Sequence, residues 1–381
     1  MSKTEIVVVG AGIAGLTSAA ILSKLGLSVT LIESHTQSGG CAGTFKRKRY
    51  IFDVGATQVA GLEEGGIHSK IFKFLDIPLP EASILNPACI VDLKDGSKPI
   101  PIWYDKDEWI KEREMQFPGS RQFWQLCNLI HQSNWTFANN NPVLPVKNFW
   151  DFSQLLKALV PTNLVTGILI KSTIFDLLRF CGLSNDERLI KFLNLQLKLY
   201  SQEDVYNTAA LYGSTVLQMC QKPHGLWHLK KSMQALSDAL EDSLKKRGVN
   251  IVFGQKVNSI NFDDVKKSWK VCASSKLEKM VYFADDVIYT PPPQSLLKHL
   301  ENPLDNTYNY KKRIQSLPDP SGALVFYSAL KKEHIKVISS NHYQFVSNEL
   351  GSLFVSISEE GDGRAPKGEI TLIASIFAKT C

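Results

Sequence analysis

The first 33 residues of this 381-residue chain hold three glycines and an acid at spacings suited to one task, binding the pyrophosphate of a dinucleotide. In Gly10-x-Gly12-x-x-Gly15, Gly10 permits a tight turn and Gly12 removes the Cβ that would block a phosphate. Gly15 lets a helix pack closely on a strand. The N-terminus of the helix that follows offers free N–H groups and about half a positive charge to the phosphates. Glu33 follows Gly15 by 18 residues. At the end of a second strand its carboxylate would accept both ribose hydroxyls and repel a 2′-phosphate.

Other reactive side chains carry less. His224 and His228 are four apart and would share one side of a helix. They lack the intervening acid of an H-E-x-x-H motif and any third ligand, so no metal site is predicted. Cys41, next to Gly39 and Gly40, reads as a small, partly buried, neutral thiol. The seven Cys include no C-x-x-C pair, which argues against a disulfide framework or a zinc ribbon and fits a reducing compartment. The run Lys46-Arg47-Lys48-Arg49 reads as a solvated hairpin face, with contact to anionic lipid headgroups as the alternative. With 43 Lys+Arg against 37 Asp+Glu, the net charge of +6 is too small for this length to mark a nucleic-acid binder. No G-x-S-x-G, P-loop or nucleic-acid motif is present.

These residues need elements to position them. Residues 5–9 form a β-branched run suited to a strand buried on both faces, residues 16–25 a helix ended by Gly26, and residues 27–32 a second strand closing on Glu33. Beyond this βαβ unit, 50–54 reads as a strand and 66–75 as a helix, while 76–150, rich in Pro and aromatics, reads as loops with short elements. Residues 151–220 are helical by spacing. Leu236, Leu240 and Leu244 mark a helix over 232–246, followed by a strand at 250–253. Residues 256–289 alternate as short strands, stopped by Pro291-Pro292-Pro293, and 320–378 alternate again as an antiparallel sheet. Two interleaved domains are predicted, with boundaries at 1–75, 76–220, 221–295 and 296–381.

The composition, 44% hydrophobic and 21% charged, is that of a globular protein. No signal peptide is predicted, because the first apolar run leads straight into glycines. Residues 159–180 are apolar but interrupted by Pro161, Asn163, Lys171, Asp176 and Arg179. A charge at a bilayer centre costs about 2.5–3.5 kcal/mol, so this stretch is not expected to span. It reads either as buried core or as an interfacial helix. Trp103, Tyr104, Trp109, Phe123, Trp124, Trp135 and Trp150 are expected mostly in the core, some of them lining an apolar tunnel.

The glycine loop alone does not separate flavin from nicotinamide. Ser38-Gly39-Gly40-Cys41-Ala42-Gly43 follows Glu33 directly, and this double arrangement resembles the FAD-binding amine oxidase and phytoene desaturase superfamily. The stretches Phe52-Asp53-Val54-Gly55-Ala56-Thr57-Gln58-Val59-Ala60-Gly61-Leu62-Glu63, Gly65-Gly66-Ile67-His68, Gln116-Phe117-Pro118-Gly119-Ser120, Leu195-Gln196-Leu197-Lys198-Leu199-Tyr200-Ser201-Gln202 and Gly361-Asp362-Gly363-Arg364-Ala365-Pro366 sharpen it. They resemble the carotenoid 3′,4′-desaturases related to carotenoid isomerases, over essentially the whole chain.

The resemblance implies an α/β fold, a Rossmann-type FAD-binding domain interleaved with a helix-plus-antiparallel-sheet substrate domain. It implies FAD as cofactor, held by Gly10, Gly12, Ile13, Ala14 and Gly15 at the pyrophosphate and by Glu33 at the adenosine ribose. Gly39 and Gly40 would approach it by backbone, and Val257 would meet the adenine through main chain. No catalytic side chain carries over, since the flavin takes the hydride. The implied activity is desaturation of a carotene end group at the cytoplasmic side of a membrane surface, with an electron acceptor the sequence does not name. Cis–trans isomerisation with reduced FAD is the alternative in the same class. A lipid-binding relative without chemistry and a soluble amine oxidase are the alternatives outside it. Set against the family, the sequence is expected to lack the C-terminal FAD segment, ending at Cys381 within the substrate-domain sheet.

Overall fold

The computed structural model describes residues 4–300, 308–317, 322–335, 339–347, 349 and 351–378. The chain enters through β1 (Thr4–Val9), α1 (Ile13–Lys24) and β2 (Val29–Ile32). Ile6, Val7, Val8 and Val9 are all buried, as a strand covered on both faces requires. The hairpin β3 (Thr44–Arg47) and β4 (Tyr50–Asp53) turns on Lys48 at φ 54° and carries the basic run. Helix α2 (Ile67–Leu75) and three short strands follow: β5 (Ala82–Ile84), β6 (Cys89–Asp92) and β7 (Ile100–Ile102).

The expected loop-rich stretch over 76–150 is instead built around two substantial helices, α3 (Lys106–Gln116) and the 19-residue α4 (Arg121–Asn139). Asp105 caps α3, its Oδ1 accepting from the N–H groups of Asp107 and Glu108 at 3.0 and 3.2 Å. In α4, Phe123, Trp124, Cys127, Ile130 and His131 recur three to four apart and are buried together. Helices α5 (Phe149–Ala158), α6 (Pro161–Gly167), α7 (Ile174–Phe180), α8 (Glu187–Tyr200) and α9 (Ala210–Gln218) complete this layer.

The chain then returns through β8 (Trp227–Leu229), α10 (Gln234–Lys246) and β9 (Asn250–Val252). Next comes the meander β10 (Lys256–Asp263), β11 (Ser268–Ser274) and β12 (Lys279–Tyr289). Helices α11 (Pro293–His299) and α12 (Tyr308–Gln315) precede β13 (Gly322–Lys331), β14 (His342–Ser347), β15 (Gly351–Ile357) and β16 (Glu369–Ala378). The expected terminus at Lys379, Thr380 and Cys381 lies outside the described residues.

Two six-stranded sheets organise the chain. The first runs β10-β11-β12-β1-β2-β9, parallel from β12 through β9 and antiparallel in the meander. Leu236, Leu240 and Leu244 of α10 pack with Leu16, Ala19 and Ala20 of α1 in the core against this sheet. The second runs β13-β16-β15-β14-β6-β7. Its antiparallel part was anticipated. The addition of β6, which pairs parallel to β14 with Val91 opposite Gln344, was not. The protein thus has an α/β Rossmann-type domain interleaved with a helical and antiparallel-sheet domain.

Candidate functional site

A groove of about 820 Å³ opens where β1 and β2 end and α1 begins. Gly10 takes φ +96°, and a Cβ there would stand 2.7 Å from Thr290 Oγ1. A Cβ on Gly15 would lie 1.8 Å from the Gly10 carbonyl oxygen, so the helix meets the loop only because Gly15 has no side chain. Gly12 differs. A Cβ there would meet nothing within 4 Å, leaving its outer side open to the groove beside the first turn of α1. Ile13 and Ala14, in that turn, also line the groove. A helix N-terminus flanked by unobstructed backbone is suited to phosphate oxygens.

Glu33 is 9% exposed and turned toward the loop. Its Oε2 accepts from the Ala11 N–H at 2.6 Å, and its Oε1 from the His35 N–H at 2.8 Å and Ser34 Oγ at 3.0 Å. A carboxylate has about four lone-pair positions, and the chain itself fills three. Glu33 therefore braces the glycine loop, and two ribose hydroxyls would reach it together only by displacing a partner such as Ser34.

The second glycine pair packs against the first loop. Gly39 at φ +121° donates its N–H to the Ala11 carbonyl at 2.8 Å, and a Cβ on Gly40, at φ +56°, would stand 3.2 Å from Gly12 Cα. Helix α10 holds this turn from behind. Gln234 Oε1 accepts from the Thr44 N–H at 3.2 Å, Gln234 Nε2 donates to the Ser38 carbonyl at 3.0 Å, and Ser38 Oγ donates to Glu241 at 2.5 Å. Cys41 is exposed and lines the groove, contrary to the expected partial burial, because the turn Gly40–Ala42 directs its side chain outward while its carbonyl accepts from the Ala56 N–H.

Val257 lines the far side, on β10, where the ladder to β11 shifts register between Val257 and Ser259. The groove thus brings together Gly10, Gly12, Ile13, Ala14, Glu33, Gly39, Gly40 and Val257, while Gly15 sits behind it as a packing residue. Sequence reasoning missed the wall formed by Tyr289, Thr290, Pro291, Pro292, Ser295 and His299. The signal was present in the strand stopped by prolines, since a strand parallel to β1 ends at the same edge of the sheet.

His224 and His228 do not share a helix face. His224 lies in a loop with Nδ1 3.0 Å from Glu63 Oε1, stacked on Trp135 at 4.8 Å. Burial alone would raise the Glu63 carboxyl, but the His224 hydrogen bond holds it below the usual range. His228 lies in β8, its Nε2 3.0 Å from both Asp362 Oδ2 and Arg364 Nη1. Arg364 is buried and also donates to Asp53 Oδ2 at 3.0 Å and Asp362 Oδ2 at 2.7 Å, while Asp53 Oδ1 accepts the Met233 N–H at 2.8 Å. No group of metal-ligating side chains occurs among the described residues.

Residues 8–76 match the family described as NAD(P)-binding Rossmann-like domain. Over 375 residues the chain is 23% identical to all-trans-retinol 13,14-reductase of Rattus norvegicus, covering 94% of this chain and 60% of that protein. It is 24% identical to a 4,4'-diapolycopene oxygenase of Methylomonas, covering 96% and 73%. It is also 24% identical to prolycopene isomerase 2 of an Oncidium hybrid, covering 69% and 44%. The chain therefore spans less than two thirds of the retinol reductase's length. A solved structure from Pyrococcus furiosus superposes with a TM-score of 0.70 at 18% identity, covering 99% of this chain and 80% of that one, which shows a shared fold.

Proposed function

We propose that this chain is a member of the FAD-dependent carotenoid desaturase and isomerase family, that it binds FAD in the groove and that it desaturates a carotene end group. The observation that carries the cofactor assignment is the open side of Gly12 at the N-terminus of α1, with the Gly39–Gly40 turn beside it. A long, folded-over ligand needs backbone it can approach along much of its length, and these two loops supply it. Gly10, Gly12, Ile13 and Ala14 would face the pyrophosphate, Glu33 the ribose and Val257 the adenine. The chemistry FAD supplies is hydride acceptance and donation.

The chain's own residues bind and orient. Glu33, through the Ala11 N–H, fixes the loop that the phosphates meet, and Gln234 and Ser38 fix the second turn. Tyr289, Pro291 and Pro292 line one side of the groove. Desaturation removes a hydride and a proton from adjacent carbons, and a separate electron acceptor must then reoxidise the flavin.

A polyene dissolves in lipid, and the helical layer offers a surface suited to lipid. Phe149 is 84% exposed, Ile168 81% and Phe180 76%, with Trp150, Leu164, Val165 and Ile170 also exposed nearby. Large apolar side chains left exposed in one stretch of the chain are suited to an interaction site. No single helix among the described residues is long and apolar enough to cross a membrane. We assign this face to peripheral contact with the cytoplasmic side of a membrane, with Lys157, Lys171 and Arg179 placed to meet headgroups.

Purified protein is expected to carry oxidised-flavin absorbance, and expression in a lycopene-producing host to red-shift the pigment as the chromophore lengthens. An unchanged double-bond count with altered isomers would replace desaturation by isomerisation. A shortened chromophore would assign the reverse reaction, as in a reductase. Protein that neither carries nor takes up flavin would overturn the cofactor assignment.

A further inference from the structure

The helical layer holds a second cavity of about 200 Å³, lined from α3, α4 and α9 and sharing no residue with the groove. Arg113 stands in its wall. The guanidinium carbon lies 5.5 Å from the centre of the Trp109 ring and 4.8 Å from that of Trp124. The two rings are only 6.0 Å apart at 68°, so they form a corner on one side of the cation rather than a sandwich around it. The other side of the guanidinium is not stacked by either ring.

Among the described residues Arg113 has no ion-pair partner, since the adjacent Glu114 pairs with Arg121 at 3.3 Å. The charged lining consists of Lys106, Arg113 and Arg121 against the single carboxylate of Glu114. Around the same cavity, Arg113 Nε, Trp109 Nε1 and Gln218 Nε2 are buried donors without partners, and Gln221 Oε1 is a buried acceptor without one. A buried donor or acceptor left unpaired is destabilising, so a ligand that pairs with it gains affinity. Burial lowers the Arg113 pKa to about 10, still protonated at neutral pH.

We propose that this cavity is a binding site for a small organic carboxylate with a flat, apolar body. Its carboxylate would be met by Arg113, Trp109 Nε1 and Gln218 Nε2, and its body would lie against Ile110 and the two indoles. Three donors and a surplus of cations select an anionic acceptor, and an arginine fork suits a carboxylate. The aromatic wall disfavours a fully hydrated inorganic anion. At about 30 Å³ per water-sized group, the cavity holds about seven such groups, room for a benzoate-sized acid and not for a carotene. The inference is independent of what the groove binds.

Calorimetric titration of the full chain with benzoate, benzyl alcohol and inorganic phosphate tests this. Benzoate is expected to bind with one-to-one saturation, at least tenfold more tightly than either of the others. Arg113→Met is expected to weaken benzoate at least tenfold, and Gln218→Leu several-fold. Equal binding of benzoate and benzyl alcohol, tighter binding of phosphate, or benzoate affinity unaffected by Arg113→Met would overturn the proposal. Should Arg113→Met not fold, the melting temperature decides. Benzoate must raise it for the wild type more than benzyl alcohol does, and less so for Gln218→Leu. Equal shifts would refute the site.

Discussion

Gly12 and Gly15 sit one helical turn apart, yet opposite forces hold them as glycine. A methyl group on Gly15 would overlap the Gly10 carbonyl oxygen at 1.8 Å, a backbone contact that no rotamer relieves. Gly15→Ala is therefore expected to destabilise the fold by about 3 kcal/mol or more, as overpacking does at its severe end. A methyl on Gly12 meets no protein atom and costs at most about 1 kcal/mol as a helix-cap change. Gly12→Ala is thus expected to fold with nearly the wild-type melting curve while losing flavin, measured as absorbance per mole of protein after dialysis. Equal flavin content in wild type and Gly12→Ala would remove the phosphates from this loop. The close packing at Gly15 and the open side at Gly12 were legible in the sequence because they are local, set within one turn. Glu33 was legible as an acid at the strand end, but its occupation by Ala11, His35 and Ser34 was not, since side-chain partners leave no spacing signature.

At the level of elements, the apolar run 159–180 is divided among α6, the short 3₁₀ turn Ile168–Lys171 and α7, and α5 precedes it at an angle. The helices Phe149–Ala158 and Pro161–Lys171 meet at a bend of 100°. The bend keeps Ala158 and Thr166 buried while Phe149 and Ile168 stand in solvent. Phe149→Asp with Ile168→Asp is expected to leave the melting temperature within about 2 °C, because exposed positions contribute within about 0.5 kcal/mol. The same pair is expected to abolish co-flotation with vesicles containing anionic lipid; undiminished flotation would assign the face to something other than lipid. The sequence could not choose between core and interface for 159–180, since an apolar run reads alike in both. Helix α4 escaped notice for a related reason. Its aromatic-rich stretch resembles irregular structure until one sees that Phe123, Cys127 and Ile130 are buried along a single face. The β6–β14 pairing joins residues about 250 positions apart, and no local pattern encodes such a partner.

Across the whole molecule, a buried polar cluster ties the loop before β16 to the β3–β4 hairpin, to β8 and to the start of α10. Arg364, from the loop before β16, reaches Asp53 at the end of β4 and His228 in β8, and Asp53 in turn holds the start of α10 through Met233. Arg364→Met would strand Asp53 and Asp362, and breaking a buried pair costs about 3–5 kcal/mol. Two histidines make the assembly acid-sensitive. Burial, reinforced by the charges of His228 and Arg364, pushes His342 down to about 3, and burial, reinforced by His224, pushes His131 down to about 4. Both are protonated near pH 6.5 in the unfolded chain, so between about 6.5 and 4 the unfolded state binds more protons than the native one. Native stability is then full above about pH 6.5 and falls as the pH drops, by up to about 1.4 kcal/mol per unit for each histidine. Denaturant titrations at pH 7.5, 6.5, 5.5 and 4.5 are expected to show this slope. His131→Gln with His342→Gln should flatten it over that window whatever its effect on absolute stability. A wild-type stability independent of pH between 6.5 and 4.5 would mean that these histidines gain protons in the native state without unfolding it, and would refute the acid sensitivity assigned to them.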